Sequence, residues 1–422
     1  MGLFEKIKNF VNKSNQQNEV NEEEQINIIY DIIQDKLIEC SSIKNIDGLS
    51  QKIKDEKISL IEDEILSLIE ENPLVLRKQR EDGYNIGISA SNLKMEKVVL
   101  RALDDEVASI QVTCNGYNLG MSCAYNHMED AVLKALDNPI ASTQQTNTYL
   151  KENLGMLCVK NGLKRAVEKA LDNEEACMQQ NTNGATLGMY CVGFDENLTL
   201  KALNHKKASL IQDKNLENIG MQCVRAGYLK VVEKALDIPE LCVQQNDSRY
   251  NIGMLCAMKG HEELVLKALD NKEASLQQDL LGRNIGMICA FERLRDATSK
   301  ALDNKEACLQ TNYSNWNIGM CAAYHGMEDV TLKALDNEEA SKQQDDRGYN
   351  MAYYVAKSGM IDGFKKVLRL YPEQLKEKSH ITQKRILIFM RDIENEYKSE
   401  LALENENCIE QNENFDDVSE LN

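Results

Sequence analysis

A mostly α solenoid of helix-turn-helix units with extended arms is the fold class this 422-residue sequence predicts. Three observations carry the prediction. A phrase reading Asn-Ile-Gly-Met-x-Cys-Ala at Asn251–Ala257 and Asn284–Ala290 returns as variants starting at Asn85, Asn118, Asn153, Thr186, Asn218, Asn317 and Asn350. Successive starts lie 33, 35, 33, 32, 33, 33, 33 and 33 residues apart, and a fixed period of that size marks stacked structural units. After each phrase come a break, a second apolar stripe at helical spacing, and a polar stretch too long for a tight helix–helix link.

Taken in order, residues 1–13 read as an amphipathic helix, with Leu3, Phe4, Ile7, Phe10 and Val11 on one face. Residues 14–25 are rich in Asn, Gln and Glu and read as a polar linker. Helical spacing returns in residues 26–84, through Ile29, Ile32, Ile33 and Leu37 and again over residues 53–71, as a helical N-terminal cap with a degenerate half-repeat. A terminal unit lacks a neighbour on one side and is expected to be atypical.

Residues 85–375 hold the repeats. The Asn that opens each phrase suits an N-cap, where its side-chain oxygen accepts a free backbone N–H. Glycines such as Gly162, Gly227, Gly260 and Gly326 break the chain after the first helix. The second helix is typified by Leu264, Val265, Ala268 and Leu269, one buried stripe. Residues 275–283 read as an extended arm with a turn. Residues 376–403 read as a C-terminal helical segment, and 404–422, with seven acids and no bases, as an acidic disordered tail.

Helix, turn, helix and long arm at this period resemble the ankyrin repeat. In Asp279–Met287 the Asp, Gly and capping Asn fall where that family has Asp-x-x-Gly-x-Thr-Pro-Leu-His, and Cys289-Ala290 sits where it has Ala-Ala. Asn-Ile-Gly-Met replaces Thr-Pro-Leu-His, and Asp-Asn-x-Glu-Ala-Ser replaces the family's Gly-Ala-Asp region. The resemblance implies an ankyrin-type solenoid of about nine repeats plus helical caps. A tetratricopeptide solenoid is the rival, but its short links leave little room for the polar arm.

Bulk composition narrows the function. The net charge of −19 opposes phosphate neutralisation, so no nucleic-acid partner is expected. No apolar run approaches the ~20 residues of a spanning helix. No secretory signal is visible, and the cysteines recur at one repeat position; both point to reduced thiols in a cytoplasmic compartment. Membrane-surface contact is expected through residues 1–13 only, if that helix does not dock on the cap.

Each recurring residue type has a packing explanation beside a chemical one. The glycines Gly87, Gly120, Gly155, Gly188, Gly220, Gly253, Gly286 and Gly319 lie inside the first helix, where Gly is costly. Close approach of a neighbouring helix explains them better than phosphate binding, since no Walker-type loop accompanies them. The column Cys123, Cys158, Cys191, Cys223, Cys256 and Cys289 gives way to Ala at Ala90 and Ala322, as a small buried filler would. Equivalent thiols one helix-packing distance apart cannot share a zinc, so no metal or cofactor is expected. His127, His261 and His325 fall at the turn between helices. No catalytic motif stands out, and the chain reads as a non-enzyme.

The variable position just before each phrase holds Tyr84, Tyr117, Glu152, Ala185, Glu217, Tyr250, Arg283, Trp316 and Tyr349. The ankyrin resemblance implies that arm tips and the first-helix face meet partners. Tyr84, Tyr117, Tyr250, Arg283, Trp316 and Tyr349 are therefore candidate partner-binding residues, with Tyr125, Phe291 and Tyr324 continuing the surface. On this reading Trp316 is an exposed arm-tip side chain; the alternative is that the tyrosines fasten one arm to the next. The expected function is a protein–protein interaction scaffold. A membrane-associated adaptor and an enzyme with its site in the flanking segments are the alternatives. The sequence is similar in style to ankyrin proteins of intracellular bacteria, some of which are effectors delivered into host cells.

Overall fold

The computed structural model describes residues 22–375 together with Arg391, Asn395 and Lys398. The expected N-terminal amphipathic helix, the acidic tail and all but these three residues of 376–403 lie outside the described residues. Among the described residues there are 27 α-helices and no strand. The chain divides into two compact units, Met1–Lys214 and Asn215–Asn422.

The first unit opens with two paired helices, Glu22–Lys44 and Gln51–Glu71. Helix begins four residues earlier than the sequence reading placed it. Glu22, Glu23 and Glu24 occupy its first turn, where carboxylates complement the helix dipole. Ile29, Ile33, Leu37, Cys40 and Ile43 face Ile58, Ile61, Ile65, Leu68 and Ile69 in the buried seam. Lys36 pairs with Glu64, and the Lys54 ammonium donates to the Lys44 carbonyl at 2.8 Å.

The recurring phrase builds the same local structure in both units. In the module opened by Asn284, the first helix is Ile285–Glu292 and the second Arg295–Ala301. Asn284 is fully buried and makes three bonds. Its Oδ1 accepts from the Met287 N–H at 3.0 Å, capping the helix. Its Nδ2 donates to the Ala307 carbonyl at 3.0 Å and to Gln310 Oε1 at 2.9 Å. Asn85, Asn118, Asn153, Asn218, Asn251 and Asn317 repeat this pattern. The capping residue thus also ties the first helix to the segment about 25 residues later.

That segment differs from the expected extended arm. It begins with a short third helix, Lys305–Leu309 in this module and Lys272–Leu276 in the one before. Asn304 caps it by accepting from the Glu306 and Ala307 N–H groups. Only Ala307 and Cys308 of its five residues are buried, so it carries no apolar period to read. A glutamine follows in extended backbone, Gln310 here, and in the module before it is a pair, Gln277-Gln278. Gln310 Nε2 donates backward to the Leu276 carbonyl of the preceding module at 2.7 Å. The second glutamine of the pair reaches forward: Gln278 Nε2 donates to the Thr311 carbonyl at 3.0 Å.

The second helices are also linked. Lys300 donates to the Leu266 carbonyl at 2.7 Å and pairs with Asp270 at 2.6 Å. Lys134, Lys169, Lys201, Lys267, Lys333 and Lys366 do the same to the helix one module back. Each ammonium meets a last-turn carbonyl that lacks an intrahelical partner. In the other direction, Glu129, Glu262 and Glu328 accept from first-turn N–H groups of the next second helix, at Arg165, Ala297 and Asp362.

The glycine and cysteine columns face the interior. A Cβ added to Gly286 would lie 2.6 Å from Ile318 Cδ1 and 2.7 Å from Ala301 Cβ. Gly87, Gly120, Gly155, Gly220, Gly253 and Gly319 are crowded by the equivalent Ala and by a Leu, Ile or Met of the following module. Close helix approach is therefore the reason for these glycines. Cys123, Cys158, Cys191, Cys223, Cys256, Cys289 and Cys321 have no measurable exposure, and no disulfide joins the described cysteines.

Burial pushes the Cys256 thiol up to about 12 from its ordinary value of 9.0, with the neighbouring Cys242 adding to the shift. An acid whose pKa rises on folding stabilises fully below its unfolded pKa and loses that contribution as pH climbs to the folded value. The contribution is therefore lost between about pH 9 and 12. Urea denaturation at pH 7 and pH 10 should show a smaller alkaline loss for Cys256→Ala than for the parent. A parallel loss in both proteins would refute it. At neutral pH the same variant should cost about 1–2 kcal/mol as a small cavity.

Candidate protein-interaction surface

The residue before each phrase is held from both sides. In the later modules its N–H donates to the side chain of an Asp or Asn four residues earlier: Tyr250 to Asn246 at 2.9 Å, Arg283 to Asp279 at 2.8 Å, Trp316 to Asn312 at 2.9 Å and Tyr349 to Asp345 at 2.8 Å; Tyr117 donates to Thr113 and Tyr84 to Asp82. In those four later modules the carbonyl accepts from the N–H of the same Asp or Asn. These bonds close the turn and set the side chain against the first helix, not at the outermost point of the arm. Tyr84, Tyr117, Tyr250, Arg283, Trp316 and Tyr349 are accordingly all half-buried.

Across the turn, in four modules, the side chain before the phrase meets the residue eight positions on, at the end of the first helix. In the first unit Lys160 pairs with the buried Glu152 at 3.0 Å, and Tyr190 donates to the same carboxylate at 2.6 Å. Burial and that carboxylate push the Tyr190 hydroxyl well above its usual range. In the second unit Arg225 pairs with Glu217. Arg283 lies 5.9 Å from the Phe291 ring centre, while its guanidinium also grips Asp279. Trp316 and Tyr324 are 5.1 Å apart.

These pairs merge at the last modules of the second unit. Trp316 lies 4.8 Å from Tyr354 and 6.5 Å from Phe291. His325 contacts the edges of Phe291 at 5.2 Å and Tyr324 at 5.1 Å. Tyr349 stacks on Tyr353 at 3.9 Å. Lys357 sits 5.2 Å from Tyr324 and 5.9 Å from Tyr353. Tyr354 donates to the buried Asp345 carboxylate at 2.5 Å; burial and this bond push its hydroxyl well above the ordinary tyrosine range. The result is an aromatic cluster with cations laid on its faces.

This corrects the expectation that Trp316 is an exposed arm-tip residue dispensable for folding. Trp316 and Tyr349 pack against the buried cluster that includes Met351, Tyr354 and Phe364. Phe291 is half-buried and Tyr324 is 45% exposed. Tyr125, at 69%, is more open but belongs to the first unit.

The residues that do stand at the arm turns are Tyr149 in the first unit and Leu280, Leu281 and Tyr313 in the second, all exposed. The Tyr313 N–H donates to the Leu281 carbonyl at 3.0 Å, so adjacent turns touch. The signal was an apolar residue inside a polar turn, as in Asp279-Leu280-Leu281-Gly282. Tyr353, Tyr354 and Lys357 also escaped the reading, because they belong to the last phrase, where Ala352 replaces the Gly.

Among the described residues no three His, Cys, Asp or Glu converge as a metal site. A cleft of about 500 Å³ lies between second and third helices of the second unit, lined by Leu269, Asp270, Ser275, Lys300 and Asn304. Its Lys300 and Asp270 are already paired. No described helix is long and apolar enough to cross a membrane. No known family model matches the chain, and a search of curated proteins finds no relative.

Proposed function

We propose that this chain is a non-enzymatic protein-interaction scaffold. It is an ankyrin-type solenoid of about nine repeats between helical caps, working in a reducing compartment. The observation that carries the reading is the cluster of Phe291, Trp316, Tyr324 and Tyr354, which leaves a tyrosine and the cations Arg283 and Lys357 at the surface of a scaffold otherwise packed with small and aliphatic side chains. Aromatic and Arg side chains held rigid before binding lose little freedom on association. The module-to-module bonds of the Gln and Lys columns support the stacking part of the reading.

The half-burial of Trp316 shapes the test. Trp316→Ala should lower both the melting temperature and partner affinity, because it removes packing as well as surface. Tyr324→Ala should weaken a partner captured by the intact chain about tenfold or more while leaving the melting temperature nearly unchanged. Affinity capture followed by quantitative mass spectrometry, with Tyr149→Ala as control, reads both. Equal recovery of every captured protein by Tyr324→Ala and the parent would sink this assignment.

A further inference from the structure

The second unit repeats one surface position at the end of each first helix. In chain order it holds Arg225, Met258, Phe291, Tyr324 and Lys357. The order is cation, apolar, aromatic, aromatic, cation. Contacts tie its C-terminal half together: Phe291 and Tyr324 both touch Trp316, and Lys357 lies over Tyr324.

The charge of this strip is opposite to that of the chain. The net charge is −19, yet the strip and its immediate neighbours carry Arg225, Lys259, Arg283, Arg293 and Lys357 against Glu217, Asp279 and Glu292. Glu217 is matched by Arg225. Arg283 is matched by Asp279, which is 1% exposed on its side chain and out of reach of a partner. A guanidinium has five donors, so an ion pair at one edge leaves others for a second carboxylate. A negatively charged group meets less repulsion here than the net charge of the chain implies.

We propose that this strip binds an extended acidic peptide segment of a partner protein, with apolar or aromatic residues at its centre and carboxylates toward both ends. The inference rests on the scaffold reading above and names the partner's chemistry. Packed helices stand about 10 Å apart, and an extended chain rises about 3.3 Å per residue. One strip position therefore corresponds to about three peptide residues, and five positions to about a dozen. The preferred ligand should place an apolar side chain at every third residue of its middle and an Asp or Glu near each end.

A phage-displayed library of random peptides about fifteen residues long, a little over the span of the strip, panned against the full chain, tests this. Enriched peptides should carry Asp or Glu on both sides of Phe, Trp or Leu. A synthetic consensus peptide should shift the emission of Trp316, the one tryptophan of the chain. Its affinity should fall at least tenfold with Lys357→Glu plus Lys259→Glu, fall less with Lys357→Met, and weaken as salt is raised. Circular dichroism of each variant separates lost binding from lost folding.

Basic or uncharged peptides that still lose binding in Tyr324→Ala would overturn the acidic assignment and leave the scaffold reading standing. Enriched peptides indifferent to Tyr324→Ala, or no enrichment, would overturn both. Enrichment that appears only after residues 404–422 are removed would assign the strip to the chain's own acidic segment, and the partner assignment would fall.

Discussion

Gly286→Val should lower the unfolding free energy by about 3 kcal/mol, in the range of core overpacking. The sign is informative because helix propensity pulls the other way. A Gly inside an exposed helix is about 1 kcal/mol worse than Ala, and Val is better than Gly by a few tenths. At Gly286 the first added atom already lies 2.6 Å from Ile318 and 2.7 Å from Ala301, well inside contact distance. Even Gly286→Ala should therefore destabilise. At Gly162, where a Cβ would meet nothing within 4 Å, the neighbours impose no penalty and only the positive φ of 72° resists a side chain. Urea denaturation of the two Gly286 variants decides the matter. A stabilised Gly286→Ala would show that the helices separate without cost and that close approach is not the reason for the column.

Asn284→Ala should be as damaging, at about 3–4 kcal/mol. Loss of an N-cap side chain costs about 1 kcal/mol. The larger part comes from the other end of the amide, where the Ala307 carbonyl and the Gln310 side chain lose their donor. A buried polar group left without a partner costs about 1–3 kcal/mol. The chain itself supplies a graded control. Thr186 stands at this position in one module and caps its helix through Oγ1, at 3.4 Å from the Met189 N–H. A hydroxyl there keeps the cap but lacks the amide's reach. Asn284→Thr should thus fall between the parent and Asn284→Ala in the same denaturation series. Equal losses for Thr and Ala would assign the whole effect to the distant bonds.

The helical pairs were legible because their signals are local. An Asn cap, a Gly break and an i, i+4 stripe need no knowledge of what lies across the core. The glycine and cysteine columns were readable for a related reason: size alone explains them, and size recurs. The third helix was not. Its five residues bury two small side chains, and what holds it is Asn304 at its start and Ser275 of the preceding module, which accepts from Asn304 Nδ2 at 2.9 Å. The glutamine pair was equally silent, since a polar dipeptide in an arm looks solvated until its amides are seen to bridge modules. Trp316 shows the same limit at the candidate surface. Its neighbours Phe291, Tyr324 and Tyr354 come from three modules, and position in the phrase does not say whether such a ring points out or folds back.

The two glutamines bear on how such a chain changes length over generations. The first reaches one module back and the second one module forward, while each lysine joins its helix to the one before. These glutamine and lysine ties thus run between nearest neighbours, and each ends on a backbone carbonyl or on a side chain that recurs with the period. Excision or duplication of one whole period leaves each donor facing an equivalent acceptor. Loss of a single residue inside the arm shifts Gln310 away from both Asn284 and the Leu276 carbonyl. Copy number can therefore drift by whole units, while departures from the period stay small, as in the steps of 35 and 32 residues that follow Asn118 and Thr186. Homologous chains should differ in length by steps near 33 residues, the period between the starts at Asn251 and Asn284.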